Sequence, residues 1–426
     1  MKIIKYPETG QWNDLLKRPV FETASLEAKV IPVLETVKKE GDIAIKRFTS
    51  QFDGVDITDI KVSSLEIDEA NLLVDEELKI AIRAARQNIE KFHSLQKEET
   101  KVVETTPGVK CWRKSVPIQK VGFYIPGGTA PLFSTILMLA IPADIAGCEH
   151  KVLCTPPNKQ GKIHPAILFT ANLLGIKNIY KVGGAQAIAA MAYGTESVPQ
   201  VYKIFGPGNQ YVTAAKQLVF KDGVAIDMPA GPSEVAVVAD DSANPAFVAS
   251  DLLSQAEHGV DSQVMLFTKS EKKAIEVLEE VKKQTEELSR KGFAEKSLEN
   301  SKCIVLKNDE EIMQMVNEYA PEHLILQTSN AEELAGKVIN AGSVFIGHYT
   351  PESAGDYASG TNHTLPTNGY AKAYSGVSVD SFVKKITFQS ISKEGIKCLG
   401  PVIETMAAAE ALDAHKNAVS VRLKSL

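Results

Sequence analysis

The sequence predicts an α/β protein in which two parallel-sheet domains, each covered by helices, lie between extended helical arms at the two chain ends. Two observations carry this prediction. Short apolar runs alternate with segments of helical periodicity over residues 125–232, and the alternation resumes over residues 234–346. The chain ends lack it: residues 1–20 are mostly polar, and residues 395–426 have a helical pattern. At 426 residues, the chain is also long enough for two or more domains.

The first 124 residues are predicted to be mainly helical. Residues 1–20 carry Trp12 and Leu15-Leu16 as apolar anchors and need a surface to lie against. The elements predicted next are two helices within 26–52 separated at Gly41-Asp42, one long helix over 68–96, and strands at 108–113 and 118–124.

The two alternating sections supply the predicted sheets. In the first, helices are predicted at 131–146, 165–174, 185–193 and 211–220, and strands at 151–154, 178–182, 203–205 and 224–226. In the second, strands are predicted at 235–238, 263–267, 303–306, 324–327 and 343–345, and helices at 245–257, 270–289, 309–319 and 331–339. A Gly-, Ser-, Thr- and Tyr-rich segment follows at 347–376, and loops of this length are usually functional.

The chain is predicted to divide into four parts. Residues 1–20 form an N-terminal arm, residues 21–124 and 233–376 form domain 1, residues 125–232 form domain 2, and residues 377–426 form a C-terminal arm. Arms that flank two α/β units predict a homodimer in which the ends embrace the neighbour.

Composition narrows the functional class. A hydrophobic content of 44%, a charged content of 23% and a formal charge of -6 are typical of a globular protein without a nucleic-acid-binding surface. No apolar signal core follows Met1. The most apolar segment, residues 131–147, is interrupted by Ser134, Pro142 and Asp144, so no membrane span is expected.

Cysteine usage points to a reducing, cytoplasmic setting. The five cysteines are scattered and include no C-x-x-C pair, which argues against a disulfide framework and against a thiolate zinc site. Any metal is therefore expected to be held by histidine, carboxylate and amide groups.

Gln255 and His258 are the first candidate ligands. They stand three residues apart at the end of a predicted amphipathic helix, so their side chains share one face. An imidazole beside an amide oxygen is half of a metal site that uses nitrogen and oxygen ligands. The alternative is that His258 merely interacts with the carboxyl end of the helix dipole.

Glycine-rich turns precede three predicted helices, at residues 125–129, 183–186 and 206–209. Such turns let the backbone approach a ligand and direct free N–H groups at a phosphate. None has the G-x-G-x-x-G pattern, so the two domains are predicted as Rossmann-like but incomplete. Each turn alone is also a common helix entry, but three at one end of successive βα units favour ligand binding there.

Two further segments contain candidate catalytic or metal-binding side chains. Glu322-His323 pairs an acid with a base directly after Pro321, and the alternative is an exposed loop with an accidental histidine. In the segment 347–363, Asp356 and His363 are metal or substrate candidates that sequence alone does not rank against His348; a solvated polar loop is the alternative. The histidines outside these segments that look like surface or element ends, His93, His150 and His164, are given no role.

These motifs together closely resemble the L-histidinol dehydrogenase family. The resemblance runs from Tyr124 to His415 and is weakest over residues 1–100 and near 159–162. The motifs that carry it are Tyr124-Ile-Pro-Gly-Gly-Thr-Ala-Pro-Leu, Gly183-Gly-Ala-Gln186, Phe205-Gly-Pro-Gly-Asn209, Asp227-Met-Pro-Ala-Gly-Pro-Ser233-Glu, Ser254-Gln255-Ala-Glu-His258-Gly, Pro321-Glu322-His323, Ala354-Gly-Asp356-Tyr through His363, and Glu410-Ala-Leu-Asp-Ala-His415.

The resemblance implies a zinc-dependent oxidation of L-histidinol to L-histidine through bound L-histidinal, with two NAD reduced in turn. It implies that Glu322 and His323 are catalytic, and that Tyr124, Gln186 and Asn209 bind NAD. It also implies that the discontinuous domain 1 carries the metal and substrate site, that domain 2 is the NAD-binding side, and that the C-terminal arm contacts the partner subunit. The implied zinc ligands, which also meet the substrate, are Gln255, His258, Asp356 and His415, the last from the other subunit. The other implied substrate contacts are Ser233, His323, His363 and Glu410.

Two rival functions and one geometric difficulty remain at this point. A zinc hydrolase would use Glu322 to activate water on a metal-bound amide and would need no NAD, and a binding protein would show no activity that a chelator removes. Glu410 and His415 are five residues apart and would lie roughly 140° apart on one helix. If both reach one pocket, the helix must end or bend between them; the alternative is that they serve different pockets.

Overall fold

The computed structural model describes residues 1–19, 23–127, 131–229 and 231–426. Its strands are β1 Lys2–Lys5, β2 Val102–Thr106, β3 Val109–Pro117, β4 Lys120–Tyr124, β5 His150–Thr155, β6 Asn178–Lys181, β7 Lys203–Phe205, β8 Ala225–Ile226, β9 Glu234–Ala239, β10 Gln263–Thr268, β11 Lys302–Val305, β12 His323–Gln327, β13 Ser343–Ile346 and β14 Val383–Ile391. They form two parallel sheets and one antiparallel sheet, which confirms the predicted α/β class.

The helices surround these sheets. They are α1 Trp12–Leu15, α2 Thr23–Glu40, α3 Asp42–Phe48, α4 Ser64–Leu73, α5 Glu76–Ser94, α6 Phe133–Ala146, α7 Pro165–Leu173, α8 Gly184–Tyr193, α9 Gln210–Lys221, α10 Pro245–Ala256, α11 Glu271–Thr285, α12 Lys291–Glu299, α13 Asp309–Tyr319, α14 Ala331–Ala335, α15 Glu352–Tyr357, α16 Lys393–Ala409 and α17 Asp413–Lys424. No helix in the described part of the chain is both long enough and apolar enough to cross a membrane.

The larger sheet has six parallel strands in the order β1-β11-β10-β9-β12-β13. Alternate residues of β9 pack into different apolar clusters, Val235 and Val237 on one face and Ala236 and Val238 on the other. Both faces are thus covered by helices, which explains why the strand sequence is apolar throughout rather than alternating.

The smaller parallel sheet has five strands in the order β6-β5-β4-β7-β8. Helices α4 to α7 bury one face, where Phe123 and Leu153 lie, and helices α2, α3, α8 and α9 bury the other, where Val152 and Ile204 lie. Strand β4 lies at the centre of this sheet, between β5 and β7. The chain therefore leaves the sheet centre at Tyr124, at the carboxyl edge where open parallel sheets bind ligands.

The N-terminal segment begins with a strand that the sequence did not suggest. Lys2–Lys5 pairs in parallel with Lys302–Val305 and forms one edge of the six-stranded sheet. Trp12 and Leu16, two of the predicted anchors, are buried in the cluster that covers this sheet. The predicted arm thus lies against its own chain over residues 1–19, and residue 20 lies outside the described residues.

The predicted single helix over residues 68–96 is wrong, because two helices, α4 and α5, occupy this region. Helix α4 ends at Leu73, and Asp75 then takes an extended conformation with its side chain accepting the N–H of Leu78. An aspartate at this position caps a new helix, and the apolar periodicity on both sides concealed the break.

The C-terminal region is interrupted between Glu410 and His415. Helix α16 ends at Ala409, Ala411 has a positive φ of 55°, and α17 begins at Asp413. The helix therefore ends between these two residues, which is one of the possibilities that the sequence leaves open. Before α16, strand β14 pairs antiparallel with β3, whereas the sequence predicted only helical arm here.

Three further predictions of local structure need correction. The predicted helix over 331–339 ends at Ala335, and the one over 270–289 ends at Thr285. Helix α12 was not predicted. The segment 347–376, predicted as a loop, contains the short helix α15, which brings two carboxylates onto one face because Glu352 and Asp356 are four residues apart.

Candidate active site

The candidate metal cluster lies beyond the amino edge of the six-stranded sheet. Helix α10 begins at Pro245, where Asn244 caps it by accepting the N–H of Ala246, and it runs back along β9 to end at Ala256. Gln255 is buried in its last turn, while His258 lies beyond the end and is exposed. The helix thus delivers both side chains to the edge at which β9 and β12 start.

His258, Glu352 and Asp356 form a group whose ligand atoms all lie within 4.8 Å of one another. Helix α15 supplies both carboxylates, and the imidazole comes from the chain just past α10. Although part of His258 is exposed, protein atoms around its ring remove it partly from water and lower its pKa, and the Asp356 carboxylate opposes this. A neutral imidazole beside two carboxylates is a donor set that suits a divalent cation with nitrogen and oxygen ligands.

Gln255 contacts this group through its side-chain amide. Its Nε2 donates to the Glu352 carboxylate and lies 3.1 Å from His323 Nδ1. Its Oε1 is buried and finds no hydrogen-bond partner among the described residues. Because a buried carbonyl oxygen without a partner is costly, this atom fits a site where a cation completes its coordination.

Glu322 and His323 lie where β12 begins, and both are buried, at 6% and 3% exposure. This excludes the alternative of an exposed loop. The Glu322 Oε2 accepts the backbone N–H of Glu234 at 2.9 Å and lies 3.7 Å from His323 Nδ1. The His323 Nε2 faces Asp356 at 3.5 Å. The acid and base therefore stand directly beside the candidate metal ligands.

Burial and charge shift the proton affinities of this pair. Burial raises the pKa of Glu322 to about 8, and the His323 ring opposes this rise. Burial by itself would lower the pKa of His323, but the carboxylates of Glu352, Glu322 and Asp356 outweigh it and raise that pKa to about 10. Such displaced values are typical of functional sites.

The Nδ1 atom of His323 has two close neighbours that select opposite tautomers. The carbonyl oxygen of Glu234 lies 3.2 Å away and can only accept, so this contact requires a proton on Nδ1. The amide Nε2 of Gln255 lies 3.1 Å away and can only donate, so that contact requires a lone pair there. With the proton on Nδ1, the Nε2 that faces Asp356 is a free base.

The other residues predicted to contact substrate divide into two groups. His363 lies beside the cluster, with Nδ1 2.8 Å from the Asp356 carbonyl oxygen and Nε2 3.1 Å from Thr135 Oγ1. Ser233 immediately precedes Glu234 at the start of β9. Glu410 and His415 are exposed at the junction of α16 and α17 and do not belong to the group around His258.

Glu352 is the residue of this cluster to which the sequence assigned no role. It lies in the segment from which Asp356 was selected, but it belongs to no ligand motif. Its spacing of four residues from Asp356 was the available signal, since this spacing places two carboxylates on one helical face. That signal requires a helix at 352–357, and the segment was predicted as a loop.

A second cavity, of about 1080 Å³, opens at the carboxyl edge of the five-stranded sheet. Tyr124, Gln186 and Asn209, the three predicted cofactor contacts, all line it. Tyr124 ends β4, Gln186 follows β6 and Asn209 follows β7, so three strands of one parallel sheet deliver them to the same edge. Of the glycine-rich turns, those at 183–186 and 206–209 meet here; in the turn at 125–129, residues 128 and 129 lie outside the described residues, as does residue 130 of the same motif.

The walls of this cavity carry polar atoms without partners. Gln186 Nε2, Thr155 Oγ1 and Asp53 Oδ2 are buried and make no hydrogen bond within the described residues. Tyr124 accepts the N–H of Gly184 at 3.1 Å, and the Asn209 side chain caps α9. A large cavity with several unsatisfied donors and acceptors suits a ligand that is itself rich in hydrogen-bonding groups.

Gly206 allows the turn at 206–209 to come close to β4. Its φ is 127°, and a Cβ built on it would stand 2.0 Å from the carbonyl oxygen of Tyr124. The buried Lys216–Asp227 ion pair fastens this turn, since Lys216 donates to the Gly206 carbonyl at 2.9 Å and Asp227 accepts the Gly206 N–H at 2.9 Å. The backbone therefore fixes where Asn209 enters the cavity wall.

Comparison with known proteins assigns a family. A family model described as histidinol dehydrogenase matches residues 16–423. The histidinol dehydrogenase of Bacteroides fragilis (strain YCH46) is 64% identical over the full length of both chains, and that of Escherichia coli (strain K12) is 52% identical over 98% of this chain and 96% of its own. A crystal structure of histidinol dehydrogenase from Elizabethkingia anophelis is 58% identical, with a TM-score of 0.98 over 100% of this chain and 98% of that one.

Proposed function

Because the chain belongs to the histidinol dehydrogenase family, we propose that it oxidises L-histidinol to L-histidine through bound L-histidinal, in histidine biosynthesis, with zinc and NAD. The observation that carries this proposal is the position of Glu322 and His323, an acid and a base buried beside Gln255 and Asp356. The predicted roles of the two domains are proposed with it: the domain of the six-stranded sheet carries the metal and substrate, and the domain of the five-stranded sheet carries NAD. Residues 21–124 were assigned to the first of these, but helices α2 to α5 pack on the five-stranded sheet and β4 lies at its centre.

Gln255, His258 and Asp356 would hold the zinc, together with His415 of a second copy of the chain. The unpartnered amide oxygen of Gln255 and the donor group around His258 support this set. His415 is exposed on α17, as a residue donated to a neighbour would be before assembly. When bound, zinc would act as a Lewis acid that anchors the amino and imidazole nitrogens of the substrate.

His323 would serve as the general base for the alcohol step. The ring must be neutral for this role, and a bound cation that shares the charge of Asp356 would lower the raised pKa of His323 toward that state. In the neutral ring, a proton on Nδ1, held by the Glu234 carbonyl, leaves Nε2 free to take the hydroxyl proton of the substrate, whose hydride NAD would accept when bound. The second oxidation removes hydride from the hydrate of the aldehyde, which also loses a hydroxyl proton. The same nitrogen can accept it once the first proton has left.

Glu322 would form that hydrate. One of its oxygens, Oε2, is occupied by the Glu234 N–H, so Oε1 remains to take a proton from water as the water adds to the aldehyde carbon. Burial of the site limits access of bulk water, which protects a reactive aldehyde from side reactions. Ser233, His363 and Glu410 would contact the substrate, while Tyr124, Gln186 and Asn209 would contact NAD.

Growth of reduced-nicotinamide absorbance tests the proposal. Metal-stripped protein is supplied with L-histidinol and NAD, with or without zinc. We expect two reduced nicotinamides per histidinol consumed, and no reaction after a chelator is added. Turnover of an amide substrate without NAD would instead identify a zinc hydrolase, and absence of any zinc-dependent reaction would identify a binding protein.

A further inference from the structure

Arg18, in the N-terminal segment, binds the side chain of Glu234 and the turn that precedes Glu322 and His323. Its Nε donates to Glu234 Oε1 at 2.5 Å and its Nη2 to Glu234 Oε2 at 2.8 Å. The pair is buried, with 15% of the arginine side chain and 2% of the glutamate side chain exposed. A two-point contact of this kind fixes geometry as well as charge.

Glu234 in turn holds the catalytic pair through its main chain. Its N–H donates to Glu322 Oε2 at 2.9 Å, and its carbonyl oxygen lies 3.2 Å from His323 Nδ1. Its side chain accepts the N–H of Asn368 at 2.8 Å, from the segment that also carries His363. One glutamate therefore connects the acid, the base and the 363–368 loop, and Arg18 holds its carboxylate.

Arg18 also holds the turn that leads into the pair. Its Nη2 donates to the carbonyl oxygens of Tyr319 at 2.6 Å and Ala320 at 3.4 Å. Ala320 has a positive φ of 51°, which is unfavourable for a residue with a Cβ and persists only where surrounding contacts impose it. Only Pro321 separates this strained residue from Glu322.

Contacts between the N-terminal segment and the rest of the chain hold Arg18 in place. The guanidinium lies 4.0 Å above the ring of Tyr319, and the carbonyl oxygen of Lys17 accepts from Gln263 Nε2 at 3.2 Å. Gln263 Oε1 accepts the Tyr319 hydroxyl at 3.0 Å. Trp12 and Leu16 are buried in the same apolar cluster as Tyr319.

We propose that Arg18 is a positioning residue for the reaction: it fixes Glu234 and the 319–320 turn, and through them the placement of Glu322 and His323. This inference rests on the proposed catalytic roles of that pair. Its physical basis is that catalysis demands placement to a fraction of an ångström, and that a displacement of about 1 Å can cost on the order of 100-fold in rate.

The test compares Arg18→Ala and Arg18→Lys with the unchanged enzyme, as full-length, zinc-loaded protein. Lysine keeps the positive charge, but its single ammonium group cannot bind both carboxylate oxygens of Glu234 and the carbonyl oxygens of Tyr319 and Ala320 at the same time. We expect kcat to fall by about 10- to 100-fold in both variants, with KM for histidinol and bound zinc nearly unchanged. Guanidinium at millimolar concentration should restore part of kcat to Arg18→Ala, and ammonium at equal ionic strength should not.

Two controls separate positioning from general stability. Lys17→Ala removes an exposed ion pair with Asp14 in the same segment and should leave kcat unchanged. Lys181→Met removes a largely buried ion pair with Glu66 far along the chain, and should lower the melting temperature without a selective loss of kcat. If Arg18→Ala does not fold, the kcat of Arg18→Lys alone tests the inference.

Full kcat in a folded Arg18 variant would overturn the inference, as would an equal loss in Lys181→Met or a loss only in proportion to unfolded protein. Such a result leaves the proposed function intact if Glu322→Gln is still impaired. Failure of the proposed function has a different signature, namely no zinc- and NAD-dependent oxidation of histidinol by the unchanged enzyme. Full activity in Glu322→Gln and in a His323 variant would contradict the catalytic roles of that pair.

Discussion

Gln255 donates its amide N–H to Glu352, and this contact turns its amide oxygen away from every described hydrogen-bond partner. Glu352 therefore orients a proposed zinc ligand, and it also adds a carboxylate next to His258 and Asp356. Side chains that orient metal ligands affect affinity nearly as much as the ligands do.

Glu352→Leu should weaken zinc binding by about 10- to 100-fold, because the Gln255 amide loses the acceptor that orients it. The measurement is the zinc dissociation constant, obtained by competition with a chelator in the absence of substrate. The control is Glu257→Gln, a change between Gln255 and His258 of a carboxylate that does not belong to the donor group. This variant should bind zinc normally. Equal affinity in the two variants would show that Glu352 does not orient the site.

Glu322→Gln should slow the oxidation of histidinal far more than the oxidation of histidinol, since only the aldehyde step needs an activated water. A loss of about 100-fold or more is expected for the aldehyde, in line with the usual contribution of general base catalysis. The two substrates are assayed separately at saturating NAD. Equal losses for alcohol and aldehyde would count against the assignment.

The aldehyde step should become faster as the pH rises through about 8. Burial raises the pKa of Glu322 to about 8, and a carboxyl group acts as a base only when it is deprotonated, so the active fraction grows as the pH rises through this value. The pH profile of kcat/KM for histidinal reports this ionisation in the free enzyme. Glu322→Gln should retain only a slow rate without this ionisation, and an unchanged profile would contradict the prediction.

Gln186→Leu should raise KM for NAD without altering KM for histidinol. The buried Nε2 of Gln186 has no partner within the described residues and lines the cavity, so leucine removes a donor that only a ligand can satisfy. The loss corresponds to about 1 kcal/mol or more, roughly a factor of five to ten. Gln217→Leu, on the neighbouring helix α9 and outside the cavity lining, is the matched control. A rise in KM for histidinol alone would place the cofactor elsewhere.

Mixing inactive His415→Ala protein with inactive Asp356→Asn protein should restore activity if sites are shared between subunits. In a mixed dimer, one site then combines an intact Asp356 with an intact His415, so random re-association yields about one quarter of the normal activity. The two proteins are mixed after reversible dissociation and assayed with histidinol. Absence of recovery, with mixed dimers demonstrated, would show that each site is completed by its own chain.

The sequence predicts best those features whose signal is local. Helix α10 has an Asn-Pro start and a short apolar stripe, and its Gln255 and His258 were recognised from their spacing. The alternation of strands and helices was likewise visible, because each buried parallel strand is a short apolar run. The pair Glu322-His323 was found because an acid and a base stand together after a proline.

What the sequence does not predict depends on partners far apart in the chain. Strand β14 is defined by its pairing with β3, more than 260 residues earlier in the chain. The proposed role of Arg18 likewise depends on its contacts with Glu234 and Tyr319, which are distant in sequence. Glu352 belongs to the site because α15 brings it to Gln255, a contact without any local signature. Asp75 shows the converse case: a local cap was present, but the apolar repeat on both sides outweighed it.

The pairing of β1 with β11 also bears on how the chain is made. Residues 2–5 are synthesised about 300 residues before their hydrogen-bonding partner, which ends at Val305. At typical synthesis speeds of 5–20 residues per second, roughly 15 to 60 s pass before that partner exists. Strand β1 cannot join its sheet during this interval, so the contacts of Arg18 with Tyr319 and Ala320, which are synthesised later still, form only after most of the message has been translated.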